Sequence, residues 1–151
     1  MLPIQTILHA TDFSPCSDLA LQVAGSLARD YGARLVILHV GSPPLSHLGG
    51  PTPAPPLAEE WGREDLERQL RQRVVPNLGQ GPEHRLEYAE SVSDEILRVA
   101  DEVRSDLIVL GTHGRKGLSR LLMGSAAEQV LRRARCPVLT IRHPAHAGDA
   151  R

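Results

Sequence analysis

The sequence LIVLGTHG, residues 107–114, is followed after a spacer of nine residues by Gly124 and Ser125. Four aliphatic residues, 107–110, predict a buried strand that ends in glycines. Glycines lack a Cβ and let backbone N–H groups approach an anion, and a helix that begins at Gly124-Ser125 would place its positive end there. The stretch therefore predicts a strand, a phosphate-binding loop and a helix, with the Ser125 hydroxyl and the Ser125 and Ala126 N–H groups as phosphate donors.

Glycine-rich turns are common, so a turn that binds no ligand is the alternative interpretation of this stretch. The two better-known phosphate loops are absent, because no Gly-Lys-Ser/Thr ends the run and no Gly-x-Gly-x-x-Gly occurs in it. The pattern therefore disfavours a Walker-type NTPase.

Composition restricts the class of protein. A chain of 151 residues with 41% hydrophobic residues fits one globular domain. A net charge of −1, one tryptophan, two tyrosines and one phenylalanine leave neither a basic footprint nor a stacking platform, so we expect no nucleic-acid partner. No aliphatic run approaches the roughly 20 residues that span a bilayer, and no signal-peptide pattern opens the chain. We expect a cytoplasmic protein without a membrane partner, in which both cysteines remain thiols.

Strands and helices alternate along the chain. The pattern predicts strands at Ile4 to Ala10, Leu35 to Val40, His84 to Ala89, Asp106 to Leu110 and Val138 to Ile141. It predicts a first helix that begins at Pro15, with Ser14 as its N-cap, and ends at Gly32. It predicts further helices from Leu57 to Leu78, after Ser91 and from Gly124-Ser125 onward. Right-handed crossovers then favour an α/β domain with a doubly wound, five-stranded parallel sheet and helices on both faces.

Other segments carry more specific expectations. Buried helix stripes are predicted at Leu66, Leu70 and Val74, and at Met123, Ala127, Val130, Leu131 and Ala134. His9 and His39 fall inside strands, where a hydrogen-bonded core imidazole is expected.

Residues 41–56 hold six prolines and three glycines and predict a mobile loop, with a lid over a ligand as the alternative. We expect the domain to span residues 1–142 and residues 143–151 to form a flexible tail.

A second segment supports the glycine motif. Residues 7–14, ILHATDFS, predict a first strand that is closed by Asp12. This segment and the spacing Gly-x-x-Gly-x9-Gly-Ser resemble the universal stress protein family, and the resemblance covers nearly the whole chain with its elements in the family's order. It implies the strand order 3-2-1-4-5, in which Asp12 and Gly111 meet at the crevice where the winding reverses. It also implies a homodimer formed through the edge strand Val138–Ile141.

The resemblance further implies binding of ATP or another adenine nucleotide. Some members of the family lack the glycine signature and bind no ATP, whereas this chain retains it. In the family, the aspartate matching Asp12 lies at the ribose or at a phosphate-bound metal such as Mg²⁺, and the valine matching Val40 contacts adenine through its backbone. The predicted nucleotide-binding residues are Ala10, Thr11, Asp12, Val40, Leu110, Gly111, His113, Gly114, Arg115, Gly124, Ser125 and Ala126.

Alternatives remain open for several of these residues. Asp12 could serve only as a turn-forming side chain before the first helix. Arg115, Lys116 and Arg120 could screen phosphate charge or lie in solvent, and His113 could contact a phosphate. No Ser-His-Asp arrangement and no metal-ligand cluster is legible, so no catalytic residue is assigned.

Three functions fit this pattern. The first is a regulatory protein of the stress response that binds ATP as a signal. The second is a slow Mg²⁺-dependent ATPase or phosphotransferase acting on the same ligand. The third is a ligand-free dimerisation module whose glycines only make turns.

Overall fold

The computed structural model describes residues 3–43, 56–112 and 123–143, which form one sheet with helices on both faces. In chain order the elements are β1 (Thr6–Ala10), α1 (Pro15–Tyr31), β2 (Arg34–Gly41), α2 (Pro56–Arg71), β3 (Glu83–Tyr88), α3 (Val92–Glu102), β4 (Leu107–Gly111), α4 (Ser125–Arg133) and β5 (Val138–Ile141). The five strands pair in parallel in the order β3-β2-β1-β4-β5, which confirms the predicted doubly wound α/β fold.

Two apolar layers hold the sheet between its helices. Alternate residues of the central strands face opposite sides, so Ile7 packs with α1 and α2 while Leu8 packs with α3 and α4. Both side chains are fully buried, and burial of this kind stabilises the fold by about 1.5–3 kcal/mol for each large aliphatic side chain. The three central strands are therefore fixed, and the positions of their carboxyl ends are fixed with them.

Helix α1 has the predicted caps. The Ser14 hydroxyl accepts a hydrogen bond from the Ser17 N–H at 3.2 Å, and Pro15 occupies the first helical position. Gly32 ends the helix with φ of 63°, in the left-handed region that glycine adopts without a steric penalty. The first turn of α1 is thus anchored directly behind the end of β1.

Helix α2 is shorter than predicted. It ends at Arg71, not at Leu78, and Val74 lies beyond it with 68% of its surface exposed, so the prediction of a buried Val74 is wrong. Pro76 disfavours helical backbone at the preceding residue, and Asn77 has φ of 58°, which no helix continues. The predicted inward positions Leu66 and Leu70 do pack against the core.

Helix α4 also differs from its predicted stripe. Ala127 and Val130 are buried as expected, whereas Leu131 is 45% exposed, so its assignment to the buried stripe is wrong. A residue one position after Val130 is rotated by about 100° around the helix axis, and the single sheet face beneath α4 cannot cover both positions.

Strand boundaries shift by one or two residues from the predicted ones, and β5 has its predicted bounds. The proline-rich segment is bounded more tightly than predicted, because Gly41 ends β2 and Pro56 begins α2. Residues 44–55 and 144–151 lie outside the described residues, and so do the predictions of a mobile loop or lid and of a flexible tail. Among the helices that the structure does describe, none is long and apolar enough to cross a bilayer.

Candidate functional site

The carboxyl ends of β1 and β4 lie side by side at the point where the winding of the sheet reverses. Ala10 and Leu110 pair in register, so Thr11 and Asp12 leave the sheet beside Gly111. In open α/β sheets this position forms a crevice in which ligands bind. The predicted convergence of the two distant motifs is therefore confirmed as geometry.

The residues after β1 form a closely hydrogen-bonded turn, Thr11–Ser14. One carboxylate oxygen of Asp12 accepts the Ser14 N–H at 3.0 Å. The Thr11 hydroxyl accepts the Phe13 N–H at 3.1 Å and the Ser17 hydroxyl at 2.8 Å. Phe13 has φ of 63°, a conformation that side chains other than glycine rarely adopt. Asp12 therefore has a turn-forming role, which is one of the two roles that the sequence allows, and this role fixes its carboxylate at the edge of the crevice.

The packing at Gly111 favours a residue without a side chain, independently of any ligand. A Cβ at this position would lie 3.0 Å from the carbonyl carbon of Cys16 and 3.1 Å from the backbone nitrogen of Ser17. The first turn of α1 thus rests directly on the end of β4. The absence of a side chain allows the Asp12 turn and the glycine motif to meet, and a role of Gly111 in wrapping a phosphate remains a prediction.

The N-terminus of α4 is held against the end of β4. The Gly124 N–H donates to the Thr112 carbonyl at 2.6 Å, and the Thr112 N–H donates to the Ile141 carbonyl at 2.9 Å. The helix then begins at Ser125, as predicted, with Ser125 exposed and Ala126 half-buried. Gly111 and Gly124 therefore lie at the same edge of the sheet.

The described helix starts differ in their caps. Serine side chains cap α1 and α3, through Ser14 and Ser91, whereas Gly124 gives α4 no side-chain cap among the residues described. The first N–H groups of a helix have no partner within the helix, and they carry its positive partial charge. The arrangement at α4 is suited to an anion that accepts hydrogen bonds from these groups.

Val40 presents its backbone to the same crevice. The Leu38 carbonyl accepts the Thr11 N–H at 2.8 Å, so the backbone groups of Leu38 face β1. Two residues further along β2, those of Val40 face the same way, but the ladder with β1 stops at the Ala10–Leu38 pair. The N–H and carbonyl of Val40 therefore point beyond the end of β1, where the predicted contact with a base would lie.

His9 lies in the core beneath the crevice, as predicted. Its Nδ1 is 3.0 Å from the Val109 carbonyl, and its Nε2 has no hydrogen-bond partner among the residues described. Burial lowers the pKa of this imidazole to about 4, against smaller raising effects of the Val109 carbonyl and of the Asp12 charge. His9 is therefore neutral at pH 7, and its Nδ1 carries the proton that the Val109 carbonyl accepts.

Sequence reasoning missed Arg73, which lies against the Thr11–Ser14 turn. Its guanidinium carbon is 4.9 Å from the centre of the Phe13 ring, and only 19% of its side chain is exposed. By contrast, Arg63, Arg68 and Arg71 pair with acids on the exposed side of α2. No local pattern distinguishes Arg73, because its partner Phe13 is 60 positions away.

Three predicted site residues, His113, Gly114 and Arg115, lie outside the described residues. Among the residues that are described, no group of three or more His, Cys, Asp or Glu side chains is arranged to hold a metal ion. A metal bound mainly by phosphate oxygens would need only one carboxylate from the protein. The assignment of Asp12 to such a metal thus remains a prediction.

Comparison with known proteins agrees with this geometry. The model of the universal stress protein family matches residues 3–142. A universal stress protein of Thermus aquaticus is 34% identical over 140 residues, which make up 91% of this chain and 98% of the relative.

Two solved structures of universal stress proteins share the fold. One, in complex with cAMP, is 26% identical with a TM-score of 0.70, and the match covers 95% of this chain and 99% of that one. The other, from Archaeoglobus fulgidus in complex with dAMP, is 26% identical with a TM-score of 0.59 and covers 93% and 99%. Together with the family match, these findings show that the chain belongs to the universal stress protein family.

Proposed function

We propose that this protein binds an adenine nucleotide, with ATP as the expected ligand, and that the nucleotide acts as a regulatory signal in a stress response. The observation that carries the proposal is the Gly124–Thr112 hydrogen bond of 2.6 Å, which places the start of α4 at the switch point of the sheet. There it lies at the same sheet edge as the Asp12 turn and the backbone of Val40. The crevice thus offers separate groups for a phosphate, a sugar and a base.

Each part of a nucleotide has a matching group in this crevice. The N–H groups of Ser125 and Ala126, with the Ser125 hydroxyl, would donate to phosphate oxygens at the positive end of α4. The Asp12 carboxylate would accept from a ribose hydroxyl or contact a phosphate-bound Mg²⁺. The Val40 N–H and carbonyl would pair with the donor and acceptor edge of adenine.

Two relatives support the chemical class of the ligand. They are the universal stress proteins solved in complex with cAMP and with dAMP. Both ligands contain adenine, a sugar and one phosphate. These are the three parts of ATP for which the crevice offers a matching group. The proposal of ATP itself depends on the glycine motif and on the family resemblance.

Regulation is proposed in preference to turnover. Among the described residues, His9 and His39 lie nearest the crevice, and both are engaged with backbone carbonyls: the His9 Nδ1 is 3.0 Å from the Val109 carbonyl and the His39 Nδ1 is 2.7 Å from the Thr11 carbonyl. Neither is arranged as a general base next to a described nucleophile, so hydrolysis through these residues would be slow. A role in signalling by adenine nucleotides also implies the cytoplasmic location expected from the sequence.

We further propose that β5 pairs with a second copy of the chain. It is an edge strand, and an edge strand presents a row of backbone donors and acceptors that a symmetric partner can satisfy. Ile141 and Pro137 direct their carbonyls to β4, so the backbone groups of Val138 and Thr140 face the open edge. A homodimer formed here would leave the nucleotide crevice at the neighbouring strand ends accessible.

Equilibrium binding measurements test the nucleotide proposal. Isothermal titration with ATP, AMP and GTP should give saturable binding of the two adenine nucleotides and much weaker binding of GTP. Asp12→Asn should weaken the binding, whereas Asp30→Asn, on the exposed part of α1, should leave it unchanged. Absence of binding at millimolar ATP would contradict the proposal, and phosphate release well above a buffer blank and lost in Asp12→Asn would favour an enzyme instead.

A further inference from the structure

We propose that Arg73 is a positioning residue for the nucleotide site: it holds the Thr11–Ser14 turn, and with it the Asp12 carboxylate, in the binding geometry. The inference rests on the proposed nucleotide function. It assigns a role to a residue that lies outside both sequence motifs, in the segment between α2 and β3.

Arg73 makes two contacts with the Thr11–Ser14 turn and one with α1. Its guanidinium carbon lies over the Phe13 ring at 4.9 Å from the centroid. Its Nη2 donates to the Phe13 carbonyl at 3.5 Å and lies 3.3 Å from a carboxylate oxygen of Asp18, in the first turn of α1. One side chain thus contacts the ring and the backbone of the residue that follows Asp12, and the helix that begins two residues later.

The backbone of Phe13 needs such support. A backbone φ of 63° at a residue other than glycine costs about 1–3 kcal/mol, and it persists only where surrounding contacts fix it. His39 provides a contact from β2, with its ring 4.3 Å from the Phe13 ring and its Nδ1 2.7 Å from the Thr11 carbonyl. Arg73, in the segment between α2 and β3, provides a second contact with the Phe13 ring.

Arg73 is itself held by hydrogen bonds to its surroundings. His84 of β3 places its Nε2 2.7 Å from the Arg73 carbonyl, and the Arg73 Nη1 donates to the Gln69 carbonyl at 3.4 Å near the end of α2. The Arg73 Nε is buried and has no hydrogen-bond partner among the residues described. Burying that N–H without a partner is unfavourable, so the Nη and ring contacts must outweigh this cost.

The chemistry of these contacts requires a guanidinium. A planar fork can lie over an aromatic ring while its nitrogens reach the Phe13, Gln69 and Asp18 oxygens, whereas an ammonium is a single charged point. Lysine at this position would keep the charge near Asp18 and lose the shared arrangement. Arg73→Lys therefore separates the effect of geometry from that of charge.

Amide hydrogen exchange without nucleotide tests the proposal first. The Phe13 and Ser14 N–H groups are bonded to Thr11 and Asp12 within the turn, so their exchange reports how firmly it is held. Arg73→Met should raise both exchange rates by about tenfold. It should raise the exchange rates of the Val99 and Ile108 amides in the core by less. The exchange rates in Arg73→Lys should fall between those of the wild type and of Arg73→Met. Arg71→Met should change the exchange of neither amide, because the Arg71 side chain is 75% exposed.

Titration with AMP completes the test. Arg73→Met should raise the Kd for AMP by about tenfold, with a smaller rise in Arg73→Lys and none in Arg71→Met. Unchanged exchange at Phe13 and Ser14 in Arg73→Met would overturn the proposal, as would an unchanged Kd. If exchange at Phe13 and Ser14 is faster in Arg73→Met but the wild-type protein binds no AMP, the proposed function is contradicted. Arg73 is then only a structural residue of the turn. If Arg73→Met fails to fold, Asp18→Asn removes one exposed partner and should give a smaller effect of the same sign.

Discussion

Gly111 and Cys16 lie so close that a side chain at position 111 would crowd the start of α1: a Cβ on Gly111 would lie 3.0 Å from the Cys16 carbonyl carbon and 3.1 Å from its Sγ. Backbone atoms of α1 occupy the space, and α1 is fixed by its caps at Ser14 and Gly32. The contact joins the end of β4 to the first turn of α1, directly after the Thr11–Ser14 turn. It gives the glycine motif a structural role that is independent of any ligand.

Gly111→Ala should therefore destabilise the protein. The added methyl group overpacks a contact made by backbone atoms, and overpacking of this kind typically costs about 1–3 kcal/mol in the free energy of unfolding. Urea denaturation measures the difference. Gly62→Ala is the matched control, because Gly62 lies in α2 and a Cβ added there would meet no atom within 4 Å, and it should instead stabilise by about 0.5–1 kcal/mol. Equal effects of the two substitutions would contradict the packing argument.

His9 should make the stability fall with acidification. Its pKa is about 4 in the folded chain and 6.5 when exposed in the unfolded chain, so the unfolded chain binds a proton first as the pH falls. The neutral imidazole thus contributes its full stability above pH 6.5, and about 3 kcal/mol of it is lost between pH 6.5 and pH 4. Urea denaturation across this range should show a steeper loss in the wild type than in His9→Asn. Parallel pH profiles would mean that burial does not keep His9 neutral.

Gly124 offers a way to separate helix stability from ligand binding. Gly124 has φ of −54° and ψ of 143°, which other residues also adopt, so an aspartate there can cap α4. Gly124→Asp should leave the melting temperature equal or slightly raised, while its charge at the proposed phosphate position lowers ATP affinity by at least about tenfold. Gly124→Asn, a neutral cap of the same shape, should bind ATP more tightly than Gly124→Asp. Equal affinities of the two variants would place the phosphate elsewhere.

Thr140 tests the proposed dimer. Its backbone N–H faces the open edge of β5, so proline at this position removes an edge donor without breaking a hydrogen bond to β4. Sedimentation should show a dimer for the wild type and for Thr140→Val, and a monomer for Thr140→Pro. A dimer that survives in Thr140→Pro would exclude pairing through this edge.

The sequence predicted the parts of the fold that depend on local pattern. The aliphatic run of β4, the Ser14-Pro15 start of α1 and the Gly124-Ser125 start of α4 each follow from residues within one turn or strand, and the structure has them as predicted. The end of α2 and the exposure of Leu131 were predicted incorrectly. Periodicity alone does not show where a helix ends or how much of it a sheet can cover.

The site was predictable only where a motif marks it. Asp12 and Gly111 lie in recognisable segments, and the strand order brings them together. Arg73 carries no such mark, since its position at Phe13 depends on where α2 ends and on the hydrogen bond from His84. The packing role of Gly111 against Cys16 likewise exists only in three dimensions.

The most direct test of the nucleotide site is an NMR titration of the wild-type protein with AMP, read from assigned backbone amides. We predict saturable shifts at Asp12, Val40, Ser125 and Ala126, which lie at the carboxyl edge of the sheet. We predict no shift at Ala100, Ser105 and Cys136, which line a cavity of about 260 Å³ between α3, α4 and the start of β4. Shifts confined to that cavity, or no saturable shift at the carboxyl edge, would contradict nucleotide binding at the switch point.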